Sequence, residues 1–309
     1  MTQIKILVSD ILPDAMLSSL RTQADIVRMS DTDNWSGAAV CLTTAFDSVN
    51  GDLIRAFPSS LKLVSNIGAG VDKIDLETAR QCGIMVCNTP VVAIDTADLT
   101  FGLILSTLRN LSFCERALRA GDWAKGANAL GTSVRGKRLG IVGAGSIGSE
   151  LARRANAFGM TLCYHGPNPK PALEAELAIE YHKDLQELLN SADVVALTCP
   201  LTSATRHMIN AASLKQMKPS AFLINTGRGE LVDENALADA LENEKIAGAG
   251  LDVFENEPEV NPRLLALNNV TVTPHIGGAT VECRHAIVAQ ALENITHYLA
   301  TGEAQNRVA

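Results

Sequence analysis

Short apolar segments alternate with longer amphipathic segments along almost the whole chain. Several of the short segments are apolar throughout, which is typical of strands that helices cover on both faces. Strands that alternate with helices in this way predict parallel sheets wrapped by helices. The segments that we interpret as strands are residues 4–8, 39–43, 61–67, 139–142, 161–164, 194–198, 221–225, 249–253 and 270–273.

Two longer segments have the pattern of helices. Residues 94–109 are apolar on more than one face, so this helix needs cover on several sides, either from its own core or from a partner subunit. Residues 280–299 form a second long helical pattern, and this last helix is a candidate to return to the first sheet. The chain thus divides into two doubly wound α/β halves, the second of which begins with its own strand near Arg138.

Composition narrows the classes of partner. The chain has 309 residues and a formal net charge of -8, which argues against nucleic acid and against an anionic membrane surface. Residues 1–10 carry no signal-peptide pattern, and the longest apolar stretch, near residues 101–108, is far below the ~20 residues of a membrane span. We therefore expect a cytoplasmic protein. No pair of histidines has metal-ligand spacing, so we expect no metal.

The strongest local motif is the glycine-rich segment GAGSIG of residues 143–148. It follows the apolar segment 139–142 and opens an amphipathic helix over residues 149–158, and this β-α-β context is what a dinucleotide-binding motif requires. Gly143 allows the tight turn, Gly145 lets a pyrophosphate approach the backbone, and Gly148 lets the helix pack closely on the strand. The helix N-terminus then offers free N–H groups to the phosphates. The alternative is a glycine-rich turn that binds no ligand.

Polar side chains collect where later strands end. Arg228 follows the strand 221–225, Asp252 and Glu257 follow the strand near 249, and His275 follows the strand 270–273. Because ligands of open α/β sheets bind at the carboxyl ends of strands, we expect these side chains to converge. Each also has an ordinary structural interpretation, as a surface ion-pair partner, a solvated charge or a turn cap. Their joint occurrence after a nucleotide motif favours a common site.

The chemistry of this set fits the reduction of a 2-oxo acid. Arg228 offers a planar fork that can bind a carboxylate and a neighbouring carbonyl. His275 is the candidate general acid, since its charge changes near neutral pH. Glu257 could hold the imidazole and favour its protonated form. Asp252 could contact the nicotinamide end of the cofactor.

These motifs resemble those of the D-isomer-specific 2-hydroxyacid dehydrogenases, and the glyoxylate/hydroxypyruvate and hydroxyphenylpyruvate reductases are the most similar branch. The resemblance covers nearly the whole chain. The segments that carry it are GAGVDKIDL (68–76), NTP (88–90), TADL (96–99), GAGSIG (143–148), CPLT (199–202), NTGRGELVDE (225–234), GLDVFENEP (250–258) and TPHIGG (273–278).

The resemblance implies a flavodoxin-like substrate domain of residues 1–98 and 285–309, and a Rossmann dinucleotide-binding domain of residues 99–284. It implies a homodimer that reduces a small 2-oxo acid to the D-2-hydroxy acid. Arg228, Glu257 and His275 would form its catalytic set, and Ala69 and Gly70 would donate N–H groups to the substrate carboxylate. With the residues argued above, the cofactor-binding set becomes Thr96, Gly143, Gly145, Ser146, Ile147, Gly148, His165, Gly166, Asn168, Lys170, Cys199, Pro200, Thr205, Thr226, Gly227, Arg228, Asp252, His275 and Gly277.

One departure from the family pattern bears on cofactor choice. An acidic residue at the end of the second strand would bind the adenosine ribose of NAD and repel a 2′-phosphate. Here His165 and Gly166 occupy that place, and Asn168 and Lys170 follow with polar and cationic groups. We therefore expect NADPH to be preferred, with NAD(H) as the alternative if this loop is indifferent.

Two other functions share parts of this pattern. A non-catalytic dinucleotide sensor, similar to the C-terminal-binding corepressors, would keep the fold and bind the cofactor without turnover. A formate or phosphite dehydrogenase relative is the other alternative, but formate enzymes carry a glutamine where this chain has Glu257. Turnover of any 2-oxo acid would separate the sensor from the reductase.

Overall fold

A computed structural model of the protein describes residues 4–22 and 24–309. The strands, numbered in chain order, are Ile4–Val8 (β1), Ala24–Arg28 (β2), Ala38–Thr44 (β3), Leu63–Ile67 (β4), Met85–Cys87 (β5), Arg138–Val142 (β6), Thr161–His165 (β7), Glu180–His182 (β8), Val194–Leu197 (β9), Phe222–Asn225 (β10), Gly248–Leu251 (β11) and Val270–Val272 (β12). The helices are Ser18–Arg21 (α1), Gly51–Ala56 (α2), Leu76–Gln81 (α3), Ala93–Leu108 (α4), Leu111–Arg119 (α5), Trp123–Ala127 (α6), Ser146–Ala157 (α7), Pro171–Leu177 (α8), Leu185–Ser191 (α9), Ala211–Leu214 (α10), Glu234–Glu242 (α11), Pro262–Ala266 (α12) and Val281–Thr301 (α13).

The chain divides into two compact units, Met1–Val92 with Ala279–Ala309, and Ala93–Gly278. The predicted domain boundaries lie at 98/99 and 284/285, close to the boundaries of these units. Residues 1–3 and 23 of the predicted first domain lie outside the described residues.

The first unit contains a five-stranded parallel sheet in the order β2-β1-β3-β4-β5, which is the flavodoxin-like order. Helix α13 covers part of one face, because Cys283, Ile287, Ala291 and Ile295 recur every four residues and are buried in the core of this unit. Asn294, on the same helix, is fully buried and donates a hydrogen bond from Nδ2 to the Asn88 carbonyl at 3.0 Å.

The second unit contains a seven-stranded parallel sheet in the order β12-β11-β10-β9-β6-β7-β8. Strand order reverses between β6 and β9, on the two sides of the glycine-rich turn, as in a Rossmann fold. The prediction of two doubly wound α/β sheets is therefore confirmed. The strands that the pattern did not reveal are β2, β5 and β8, and all three lie at sheet edges.

Helix α4 packs against the core of the second unit, with Ala97, Phe101, Ile104 and Leu108 buried beside strand and helix residues. Among the described residues, one stretch, Pro90–Leu108, is long and apolar enough to cross a membrane by length and composition. Core helices pass the same test, and 44% of that stretch is buried inside the structure. This observation is weak evidence for a membrane span.

Candidate active site

The turn between β6 and α7 requires two of its glycines for steric reasons. Gly143 has φ +98°, and a Cβ there would lie 2.6 Å from the Cys199 backbone. A Cβ on Gly148 would collide with the Gly143 carbonyl and lie 3.0 Å from Cγ2 of Ile141. The space beside Gly145, in contrast, is open to 4 Å, directly in front of the first turn of α7. The turn is therefore tightly packed at Gly143 and Gly148, and it leaves space for phosphates beside Gly145 at the N-terminus of α7.

A cavity of about 700 Å³ opens from this turn to the ends of β7 and β8. It brings together nine of the predicted cofactor residues: Gly143, Gly145, His165, Gly166, Asn168, Lys170, Cys199, Pro200 and Thr205. Sequence reasoning missed other lining residues, among which Tyr181 and Lys183 carry polar groups. The predicted cofactor residues that do not line this cavity are Thr96, Ser146, Ile147, Gly148, Thr226, Gly227, Arg228, Asp252, His275 and Gly277.

Hydrogen bonds hold the end of β7 against β8. Nδ1 of His165 lies 3.1 Å from the His182 carbonyl oxygen, and the Tyr181 hydroxyl donates to the Gly166 carbonyl at 3.0 Å. Since a carbonyl oxygen only accepts, Nδ1 of His165 carries the proton in this contact. Nε2 of a neutral His165 is then an acceptor and does not donate to a phosphate.

Hydrogen bonds from a tyrosine hydroxyl and a backbone N–H to one glutamate fix the loop after β7. The Tyr164 hydroxyl donates to Oε1 of Glu174 at 2.5 Å, and the Lys170 backbone N–H donates to the same oxygen at 3.1 Å. Burial, reinforced by the neighbouring Glu174, raises the pKa of Tyr164 to about 12. Tyr164 therefore stays a protonated donor at neutral pH.

One ion-pair contact in the second unit joins a histidine to a glutamate. Nδ1 of His275 lies 2.8 Å from Oε2 of Glu257, and Oε1 of Glu257 accepts from the Phe254 backbone N–H at 3.0 Å. Both side chains are mostly buried, at 29% and 22% exposed. Because Nδ1 is engaged with the carboxylate, proton exchange with a substrate would use Nε2 of His275.

Asp252 organises the backbone that carries this histidine. Its two carboxylate oxygens accept from the Thr273 hydroxyl and from the backbone N–H groups of Ile276 and Gly277, at 2.6–2.9 Å. His275 itself has φ +52°, an unfavourable conformation for a residue with a Cβ, and its N–H donates to the Asp252 carbonyl. Burial raises the pKa of Asp252, although these hydrogen bonds oppose the shift. The predicted direct contact between Asp252 and the cofactor stays a prediction, since the loop already engages both oxygens.

Arg228 follows β10 in a loop that lies directly on the turn 254–257. The Asn225 side chain fixes this loop by donating to the Arg228 carbonyl at 2.8 Å and accepting from the Gly227 N–H at 3.1 Å. A Cβ on Gly229 would collide with the backbone of Phe254, so only glycine permits this approach. The contact brings the backbone next to Arg228 against the turn that carries Glu257.

A second histidine–glutamate pair lies beside the first and was not predicted. Nε2 of His207 makes a short contact with Oε1 of Glu255, and the Glu255 N–H donates to Oε1 of Glu234 at 2.8 Å. Glu234 is only 7% exposed. Burial raises the pKa of Glu234, and the negative charges of Glu255 and Glu257 add to that effect.

In the first unit, the loop after β4 exposes two backbone donors. Asn88 donates from Nδ2 to the Ala69 carbonyl at 2.7 Å, and Asn66 donates to the Gly70 carbonyl at 2.9 Å. The N–H groups of Ala69 and Gly70 have no acceptor within the described residues. A carboxylate is the kind of ligand that such paired N–H groups bind.

The described residues can supply a guanidinium, an imidazole paired with a carboxylate, and a phosphate-binding turn. Gly145 and Gly166 leave open the space that a dinucleotide needs. Among residues 4–22 and 24–309, no group of three His, Cys, Asp or Glu side chains could hold a metal ion. This combination suits proton transfer to an acid that carries a carbonyl, with hydride from a dinucleotide.

Comparison with known proteins gives a consistent result. Residues 101–277 match the family described as D-isomer specific 2-hydroxyacid dehydrogenase, NAD binding domain. The chain is 44% identical over 269 residues to a glyoxylate reductase of Thermococcus litoralis, covering 85% of this chain and 80% of that one. It is 40% identical over 247 residues to a glyoxylate/hydroxypyruvate reductase A of Arabidopsis thaliana, covering 80% and 77% of the two chains.

A solved structure shares the architecture of the whole of this chain. The NADPH-dependent glyoxylate/hydroxypyruvate reductase from Sinorhizobium meliloti, in complex with NADP and malonate, superposes with a TM-score of 0.92. The two sequences are 37% identical, and the match covers 100% of this chain and 97% of that one.

Proposed function

The chain belongs to the D-isomer specific 2-hydroxyacid dehydrogenase family, within its glyoxylate/hydroxypyruvate reductase branch, and from that premise we propose that it reduces a small 2-oxo acid to the D-2-hydroxy acid with NADPH. The coarser activity, an NAD(P)-dependent 2-hydroxyacid dehydrogenase, follows from the family. Glyoxylate and hydroxypyruvate are the first substrates we propose, and arylpyruvates are the second.

The contact between His275 and Glu257 carries the proposal. A bound dinucleotide supplies the hydride. As the carbonyl oxygen of the substrate gains negative charge, His275 donates a proton to it from Nε2. The Glu257 carboxylate, 2.8 Å from Nδ1, stabilises the imidazolium before transfer and fixes the orientation of the ring. Asp252 holds the strained backbone of His275 in place.

We assign substrate recognition to Arg228 and to the N–H groups of Ala69 and Gly70. A guanidinium binds a carboxylate through two parallel hydrogen bonds and can also reach the adjacent carbonyl oxygen. Backbone N–H groups without an intrachain acceptor gain most from an anionic ligand. A neutral ketone or an ester would lose both sets of contacts, so we expect selectivity for free acids.

The proposal also includes a preference for NADPH over NADH. The end of β7 has His165 and Gly166 where an acid would bind the ribose of NAD, and the space beside Gly166 is open to 4 Å. The relative from Sinorhizobium meliloti is NADPH-dependent. These observations favour a site that accepts a 2′-phosphate.

A panel of 2-oxo acids assayed with NADPH and NADH tests the proposal. We expect the highest kcat/KM for glyoxylate or hydroxypyruvate with NADPH, and loss of turnover in Arg228→Lys, because an ammonium cannot reproduce the bidentate fork. Equal rates with methyl esters would contradict the carboxylate assignment. Dinucleotide binding without turnover of any acid would favour the non-catalytic sensor instead.

We also propose a homodimer that forms through helix α4 and its surroundings. Eight of the sixteen residues of α4 are already buried within its own unit. Exposed apolar side chains lie on and after α5: Leu111, Leu118, Trp123 and Leu130, at 52–90% exposed. Leu130→Asp should shift the mass measured by light scattering from dimer to monomer, while Leu265→Asp, on an exposed leucine elsewhere, should leave it unchanged. The cytoplasmic location stays a prediction.

A further inference from the structure

Two lysines border the part of the cavity where β7 and β8 end. Lys183 directly follows β8, and Lys170 lies in the loop after β7. The two strands are parallel and in register, with His165 opposite His182, so their carboxyl ends meet at one edge of the sheet. Both lysines line the cavity of about 700 Å³.

Neither lysine ammonium has an ion-pair partner within the described part of the chain. The acids at this edge are engaged elsewhere. Glu174 accepts from the Tyr164 hydroxyl, Glu187 lies 3.3 Å from Nδ1 of His182, and Glu180 lies 2.5 Å from Arg138. Asp184 caps α9 by accepting from the Gln186 N–H. The cationic charge beside the cavity is therefore not neutralised by an ion pair.

The two lysine ammonium groups lie at the end of the sheet where a Rossmann fold binds the adenosine ribose of a dinucleotide. In Rossmann folds, the residue that ends the second strand reaches the adenosine ribose 2′-hydroxyl, and here that strand is β7. Gly166 leaves open the space where a 2′-phosphate would extend. His165 does not serve as a neutral donor, because its Nδ1 proton bonds to the His182 carbonyl. A 2′-phosphate at this place needs another cationic donor.

We propose that Lys183 binds the 2′-phosphate of NADP and is the main residue that discriminates NADP from NAD, with Lys170 as a weaker second contact. The inference rests on the proposed cofactor preference. Lys183 follows a strand that is fixed to the β7 loop through Tyr181, so its backbone is held ready for the ligand. Lys170 lies between Pro169 and Pro171, which restrict the backbone directions available to its side chain.

Calorimetric titration of Lys183→Gln with NADP⁺ and with NAD⁺ tests the assignment. Loss of one charge-assisted hydrogen bond weakens binding by about tenfold. We therefore expect about a tenfold higher Kd for NADP⁺ and a Kd for NAD⁺ within about twofold of the wild type. Lys170→Gln should raise the NADP⁺ Kd less. Lys245→Gln, which removes an exposed lysine beside a different cavity, should change neither value.

Three results would overturn the assignment. The first is an unchanged NADP⁺ Kd in Lys183→Gln. The second is an equal weakening of NADP⁺ and NAD⁺, which would mean that the lysine acts on a part that both cofactors share. The third is a larger effect of Lys170→Gln. The wild-type ratio of the two Kd values tests the proposed NADPH preference separately, so that preference can fail while a selective effect of Lys183→Gln still supports this contact.

Discussion

Gly229→Ala tests whether the approach between the Arg228 loop and the turn 254–257 sets the geometry of the site. The added Cβ would collide with the backbone carbonyl of Phe254 and with the Glu255 nitrogen. Backbone atoms cannot rotate away as a side chain does, so the two segments must separate. Reaching ordinary van der Waals contact requires a shift of more than about 1 Å, and a misplacement of that size in a catalytic site costs on the order of 10² in rate.

The same collision should lower stability. Overpacking of a filled site costs about 1–3 kcal/mol, because the surroundings absorb only part of the added volume. We therefore expect Gly229→Ala to lose roughly 10² in kcat/KM for the 2-oxo acid. The free energy of unfolding, measured by urea denaturation, should fall by about 1–3 kcal/mol. Binding of NADP⁺ should change little if the glycine-rich turn folds as before.

A matched control is Gly102→Ala. A Cβ at Gly102 meets nothing within 4 Å, and the residue lies in the middle of α4. Alanine is the better helix former, so this variant should keep its activity and gain up to about 1 kcal/mol of stability. Activity of Gly229→Ala within about threefold of the wild type would refute the argument that this contact positions Arg228 relative to Glu257.

Three further variants test the chemistry and the electrostatics. His275→Ala should lower kcat by about 10²–10⁴ while the NADP⁺ Kd stays within about twofold, and an unchanged kcat would remove His275 as the acid. Glu257→Gln should lower kcat by about 10–10², because one amide oxygen cannot accept from both Phe254 and His275. A wild-type rate would show that the carboxylate is dispensable. Folding raises the pKa of Glu234, so the wild-type protein loses stability as pH rises from about 4 to about 7 and this carboxyl ionises. Glutamine does not ionise, so the stability advantage of Glu234→Gln over the wild type should grow across the same pH range. Urea denaturation across this range that gives a constant difference would contradict this.

The sequence alone determined the features that depend on local spacing. Continuous apolar segments predicted the central strands of both sheets, because a strand covered on two faces must be apolar on both. GAGSIG predicted the phosphate turn, since the positive φ at Gly143 and the N-terminus of α7 lie within six neighbouring residues, although the close approach of Cys199 to Gly143 depends on the tertiary fold. The three strands missing from the prediction, β2, β5 and β8, are edge strands. Strands β5 and β8 are only three residues long, which is too short for a recognisable apolar segment. Strands β2 and β8 contain charged residues that interrupt the apolar pattern.

Only the tertiary structure showed which residues position other residues of the site through contacts between distant parts of the chain. The contact of Asp252 with the cofactor stays a prediction, and the register of β11 and β12 adds a structural role, because it places the Asp252 carboxylate against the backbone N–H groups that follow His275. Nothing in the sequence distinguishes Gly229 from other loop glycines, and its steric role follows only from the contact with the Phe254 backbone. Lys183 belongs to an ordinary polar segment, and only the pairing of β8 with β7 brings it beside Gly166 at the cavity. Contacts of this kind join residues far apart in the chain, and their register is set by packing of the whole sheet, which no local pattern encodes.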